Sequence, residues 1–234
     1  MDFASLLRSP DLSLRWVPVW RRNLLVWRKL ALASVLGNIA DPLLYMLALG
    51  YGIGAFVPEV GGMKYIAFIG TGMVCQSAMF TSSFEAMYSA FSRMHVQRTW
   101  EAIINAPVSL DDVVFAEWIW AASKSVMSVL AILIVILGLG FGHSWLAIWV
   151  LPLGFIVGLT MLLLSGVFFP VDQMPAALRA VAVVLPLSHA IDIARPLLAG
   201  KVPDGLALHL AVLLAYASCA YYVALVLTRR RLLK

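Results

Sequence analysis

The chain has 234 residues, of which 62% are hydrophobic and only 12% charged, with a net charge of +5 and a mean hydropathy of +0.93. A soluble domain carries about 25% charged residues, so a disordered chain, a disulfide scaffold and a soluble globular enzyme are excluded. The apolar residues run in long blocks rather than alternating with polar ones, which predicts an all-α polytopic membrane protein and not a transmembrane barrel.

Residues 1–29 read as a cytoplasmic tail followed by an interfacial helix. Six of the 17 Lys and Arg residues lie here and four lie in the last six residues. At 100° per residue, Trp16, Trp20, Asn23 and Trp27 share one face, while Arg15, Arg21, Arg22, Arg28 and Lys29 share the opposite one. The pattern sets indole rings at the headgroup level and cations towards phosphates and cytosol, and it offers a docking face to a cytoplasmic partner. Pro18 suits the first turn of such a helix.

The membrane domain covers 30–228. Its apolar blocks fall at 30–56, 65–91, 113–140, 145–169 and 206–228, and a basic tail, 229–234, follows. The connectors are a short turn at 57–64, a polar stretch at 92–112, a tight turn at 141–144 and a long proline-containing stretch at 170–205. Basic residues favour the cytoplasmic side, so both ends belong there. Five spans would put the ends on opposite sides. Trp145 to Thr160 reads as the start of one span and Met161 to Phe169 as the end of another. The conflict predicts that one cytoplasmic turn and parts of spans four and five are absent at the Thr160–Met161 junction.

Asp41, Glu85, Glu117 and Lys124 lie within apolar blocks, where an unpaired charge is costly. Asp41 and Lys124 each lie about 11 residues from the cytoplasmic end of their blocks, roughly 16 Å deep, which predicts an Asp41–Lys124 pair. Glu85 and Glu117 lie nearer the cytoplasm, within reach of water. Asp41-Pro42 predicts a kink. Gly50-x-x-x-Gly54, Gly138-x-x-x-Gly142 and Gly154-x-x-x-Gly158 are small-residue packing spacings.

Other chemistry is missing. No G-x-x-x-x-G-K-[ST] loop exists for ATP phosphates, and no hydrolase or metalloprotease motif is present. His95, His143, His189 and His209 make no ligand cluster in sequence, and His189 with Asp192 reads as a surface pair at i, i+3. Cys75 and Cys219 have neither metal nor disulfide spacing. No catalytic residue, metal or cofactor is expected in this chain, and no nucleic-acid partner, since the basic residues border apolar blocks.

Two connectors carry the functional signal. Within 92–112, Thr99 to Asn105 predicts a short helix ended by Ala106-Pro107, and Ser109 with Asp111 and Asp112 caps the next helix. Within 166–199, the pieces between prolines are too short to span and predict a broken hairpin on the far side. The stretches Arg98-Thr99-Trp100-Glu101-Ala-Ile-Ile-Asn105-Ala-Pro107, Leu164-Ser-Gly-Val-Phe-Phe169-Pro170-Val-Asp172 and Pro186-Leu-Ser-His189-Ala-Ile-Asp192 resemble the permease subunits of ABC-2 type exporters. Within that superfamily the resemblance is to the nodulation protein J group, and it covers nearly the whole chain.

The resemblance implies six spans, an N-terminal interfacial helix, a coupling helix at Arg98–Asn105 and an outer hairpin at Phe169–Leu198. It also implies a second copy of the permease, a cytoplasmic ATP-binding subunit that holds ATP and Mg, a surrounding of inner-membrane lipid, and outward movement of a lipo-oligosaccharide or similar amphiphile. A drug-exporter permease of the same superfamily is an alternative. A proton-coupled carrier using Asp41, Glu85 and Glu117 is another, and a membrane enzyme acting on lipid-linked substrates a third. The intact mass of the protein as its cell makes it tests the junction. A mass above 25.6 kDa by about one span and a turn is expected. A mass of 25.6 kDa, with Thr160 and Met161 joined by an ordinary peptide bond, would overturn that expectation.

Overall fold

The structure is a computed structural model that describes residues 8–57, 59–60, 62–140, 145–156 and 184–232. Helix α1 (Trp16–Arg28) holds Pro18 in its first turn, where a missing N–H costs no hydrogen bond. Helix α2 (Ala31–Gly52) runs on through Pro42 and closes in a 3-10 turn, Ile53–Ala55. A minimal hairpin follows, β1 (Glu59–Val60) antiparallel to β2 (Met63–Lys64), with Glu59 opposite Lys64. Gly62 takes φ +76° in its turn, a backbone that glycine adopts without strain.

Helix α3 (Tyr65–Phe84) continues as two π-helical stretches, Glu85–Ala90 and Ser92–Val96. The short helix α4 (Thr99–Ile104) leads to α5 (Leu110–Gly138). Ser109 caps α5 as the sequence predicts, its Oγ accepting from the Asp112 N–H at 3.0 Å, with Asp111 and Asp112 in the electropositive first turn. A 3-10 turn (Trp145–Trp149) and α6 (Val150–Ile156) follow. Helix α7 (Pro186–Leu198) and helix α8 (Leu206–Leu232) complete the described chain. The Thr160–Met161 junction lies outside the described residues.

Among the described residues, three stretches are long and apolar enough to cross a membrane: Ala31–Ala55, Leu110–Gly138 and Leu206–Arg230. Helix α3 has the length, 20 residues or about 30 Å, but it is rich in Gly, Ser and Thr. The reason is its position. It is buried along most of its length, packed by α2, α5 and α7. A helix lined by protein rather than lipid can carry small and polar residues that let its neighbours approach. Ser77 and Ser128 bond across α3 and α5 at 2.6 Å, and Ser125 Oγ donates to the Gly154 carbonyl at 2.5 Å.

The contacts fix direction. Gly50 of α2 and Gly54 of the 3-10 turn that follows it lie against Ile66 and Tyr65 of α3, so these helices are antiparallel and meet at the hairpin end. Gly70 against Ile136, together with Trp120 bonded to Glu85, makes α3 and α5 antiparallel. Arg229, at the end of α8, binds Asp111 at the start of α5, and also the carbonyls of Arg8 and Ser9. The two ends of the described chain therefore share one side, as the basic residues at both ends predict. Helices α6 and α8 both start from the hairpin end.

Glycines mark the closest approaches. A Cβ on Gly50 would meet Ile66 Cγ1 at 2.6 Å, and one on Gly154 would meet Val129 Cγ2 at 2.7 Å, whereas Gly138 has open space. Gly154→Ala and Gly50→Ala are expected to lower the thermal unfolding temperature of the detergent-purified protein. Overpacking of this kind costs about 1–3 kcal/mol. Gly138→Ala is expected to leave it unchanged. Equal melting temperatures for all three would show that these contacts do not limit helix approach.

Candidate functional site

At the end of α3 away from the hairpin, buried ions gather. Glu85 Oε1 accepts from Arg93 Nη2 at 2.8 Å and from Trp120 Nε1 at 2.9 Å, and its Oε2 accepts from Lys124 Nζ at 2.6 Å. Glu117 Oε1 accepts from Arg93 Nε at 3.0 Å and from Trp100 Nε1 at 3.3 Å, and Oε2 accepts from Arg93 Nη2 at 2.5 Å. Arg22 of α1 stands 3.9 Å from Glu117. The two carboxylates are 3% and 6% exposed, so they do not reach water as the sequence reading expects. Arg93 is their hub, forked onto both. Burial pulls its pKa down, but the hydrogen bonds and charges of Glu117 and Glu85 outweigh that and hold it above its ordinary value. Arg22 goes the other way. Burial lowers its pKa, Glu117 offsets part of this, and the like charge of Arg93 adds to it.

The expected Asp41–Lys124 pair does not form. Lys124 is taken by Glu85, and Asp41 makes no ion pair among the described residues. Equal depth placed Asp41 and Lys124 at one level, and both do line one cavity. Glu85, on the helix between them, is the carboxylate within reach of Lys124. A carrier that exchanges protons on Glu85 and Glu117 would have to break this network first.

The winding of the chain sets the network. Glu85 opens the π-helical stretch and Arg93 lies in the next one, and π turns inside helices are frequent at functional sites. Arg98 then takes φ +50°, the sole non-glycine residue with positive φ among those described, and turns the chain into α4. Thr99 Oγ1 donates to the Arg93 carbonyl at 3.0 Å. Trp100 is buried against Leu110, Val113, Val114 and Leu225. Its ring faces inward and roots α4 in this chain. The outer face of α4 presents Glu101, Ile104 and Asn105, with Arg98 and Pro107 exposed beside it.

Helix α1 lies across α5. Trp16 stands edge-on to Phe115 at 5.3 Å, and Trp27 edge-on to Trp120 at 6.3 Å. Trp20 Nε1 donates to Ser123 Oγ at 3.1 Å, and Trp27 Nε1 donates to Ser34 Oγ at 3.1 Å. The indoles thus pack on protein, while Arg21, Arg28 and Lys29 stay exposed as the face analysis predicts. Arg15 donates to the Pro107 carbonyl. Ser13 donates to Asp112 from its N–H and its Oγ, both at 2.7 Å. The N-terminal segment thus straps the start of α5.

Of the expected outer hairpin, Phe169, Pro170 and Asp172 lie outside the described residues. Pro186 begins α7. His189 pairs with His209 of α8, Nδ1 to Nδ1 at 2.7 Å, where a surface pair with Asp192 is the sequence expectation. No group of three metal-ligating residues occurs among the described residues. Arg93 and Trp120 escaped the sequence reading. Arg93 is eight residues from Glu85, outside the i+3 and i+4 neighbours that spacing reveals, and Trp120 resembles any apolar residue of a span.

Removing one member of a buried pair strands its partner and costs about 3–5 kcal/mol. Glu85→Leu is expected to lower the yield of monodisperse protein in size-exclusion chromatography. Adding Lys124→Met should recover part of the loss, and Asp41→Asn alone should leave the yield unchanged. Loss with Asp41→Asn but not with Glu85→Leu would contradict the network.

Comparison with known proteins adds the family. The model of the ABC-2 type transporter family matches residues 149–198. Nodulation protein J of Rhizobium meliloti (strain 1021) is 40% identical over 93% of this chain and 94% of its own. That of Rhizobium leguminosarum bv. viciae is 41% identical over 96% and 98%. That of Rhizobium leguminosarum bv. trifolii is 39% identical over 263 aligned positions, covering 100% of both chains. Against the 234 residues here, about 29 of those positions have no counterpart in this chain, roughly the length of one span and a turn. No solved structure matches. Identity at this level over nearly the whole length of both chains, together with the matched family model, places this chain in the nodulation protein J family of ABC-2 type transporter permeases.

Proposed function

We propose that this permease is the membrane half of an ATP-driven exporter in the inner membrane. Two copies would join two cytoplasmic ATP-binding subunits and move a lipo-oligosaccharide or similar amphiphile outward. Both chain ends then face the cytoplasm, as the positive-inside rule favours for Arg21, Arg28, Arg98 and Arg230. ATP and Mg are held by the partner subunit, and the permease supplies no catalytic group. The observation that carries the reading is the construction of α4. Its outer face is free, its Trp100 is rooted in the core, and its root bonds to Glu117, which Arg93 ties to Glu85 and Lys124. A push on such a helix passes into three helices at once, whereas a floppy loop would absorb it. Closure of the nucleotide subunits would thereby shift the bundle between discrete packings.

Glu101→Lys and Ile104→Asp change the outer face of α4 without touching its root. Both are expected to reduce copurification of the ATP-binding subunit and to lower the ATPase rate at least several-fold, with permease folding intact. Trp100→Ala is expected to weaken the fold itself, since truncating a buried Trp costs about 3–5 kcal/mol. Normal subunit binding and ATPase activity in both outer-face variants would remove α4 as the coupling element.

A further inference from the structure

A cavity of about 380 Å³ opens between α2, α3 and α5, away from the outer face of α4. Asn38, Asp41 and Tyr45 of α2, Gln76, Phe80, Thr81 and Phe84 of α3, and Lys124 of α5 are among its walls. Three features set it apart from a packing defect. Asp41 is exposed and unpaired about 15 Å along an apolar helix, which lipid would not tolerate. Gln76 is only 8% exposed, yet its Oε1 accepts no hydrogen bond; such an orphaned buried acceptor ordinarily costs about 1–3 kcal/mol. Tyr45, Phe80 and Phe84 stand at least half exposed at the mouth, so flat apolar rings rim a polar floor.

We propose that this cavity binds the sugar of a glycosylated amphiphile, a reading that rests on the export function above. A pyranose has hydroxyls around its edge and C–H groups on its faces. The edge suits the Asp41 carboxylate as acceptor and the Gln76 amide, and the faces suit the aromatic rim. The volume falls within the range of about 300–1,000 Å³ typical of small-molecule sites and holds one or two rings. Lys124 is engaged by Glu85, so the charged wall group without an ion pair among the described residues is the Asp41 carboxylate, an acceptor that favours hydroxyl donors over a phosphate headgroup. Lys124 also belongs to the network that reaches α4, so occupation of the cavity and the state of α4 share one side chain.

The test uses the full chain in nanodiscs of neutral lipid and a photoreactive octyl glucoside as probe. The expected result is labelling of peptides from 37–45 and 76–84, competed by octyl glucoside and not by octyl phosphocholine. Gln76→Leu and Asp41→Asn should each reduce labelling at least three-fold, with unchanged size-exclusion profiles. Phe80→Leu, which removes the aromatic face and keeps an apolar side chain at a half-exposed position, should reduce it as well. Equal competition by the phosphocholine would make the cavity a general lipid groove and overturn the proposal. So would labelling elsewhere, or labelling indifferent to all three variants. Because no ATP-binding subunit is present in this assay, failure here leaves the α4 experiment standing, and failure of the α4 experiment leaves the glucoside site standing.

Discussion

Charge in a low-dielectric interior has to be answered by charge or by directed hydrogen bonds, and Glu85 is where this chain meets that demand. Its two oxygens receive a lysine from α5, an arginine from the π-helical stretch and an indole N–H. Through Arg93 the second carboxylate, Glu117, is bound in the same way, and through Glu117 the indole of Trp100 is fixed. Helices α3 and α5 and the short helix α4 are thereby joined by bonds that have direction, in a setting where lipid supplies no hydrophobic drive between helices. Such a network is directional, so it fixes how its three helices sit against one another.

Around that centre the rest of the structure follows. Helix α3 is buried by its neighbours, so it can be built from Gly, Ser and Thr, and two glycines bring α2 and α6 to within a side chain's width of the bundle. The second ion pair, Arg229 with Asp111, closes the same side of the molecule and draws the N-terminal segment over the start of α5. The two pairs differ in kind. Asp111 with Arg229 ties distant parts of the chain together at the end of the bundle, whereas the Glu85 network lies between the cavity and the helix that stands free for a partner.

The cavity and α4 lie at opposite ends of one chain of contacts, Lys124 to Glu85 to Arg93 to Glu117 to Trp100. In the proposed exporter the two ends would take separate ligands, an amphiphile at one and a nucleotide-bound subunit at the other. Linkage requires that each ligand alters the affinity for the other by the same factor. Arg93, forked onto both carboxylates, is the middle member of that chain of contacts.

Much of this was legible before the fold. Block lengths and the clustered arginines determined an all-α membrane protein with both ends on one side, because span length and lipid charge penalties are set by the bilayer and not by tertiary contacts. Ser109 with Asp112 was readable because a cap is local. The stretch from Arg98 to Pro107 carried the family resemblance in its own residues. The partners of the intramembrane charges were not readable. Depth along a helix follows from counting residues, so Asp41 and Lys124 were placed at one level, but rotation about the axis and the choice of neighbour arise only when helices pack. Trp100 and Trp120 show the same limit, since a tryptophan in sequence suits an interface, a headgroup layer and a core alike. Packing chose the core for both, because each indole N–H could there reach a buried carboxylate, and that match exists only in three dimensions.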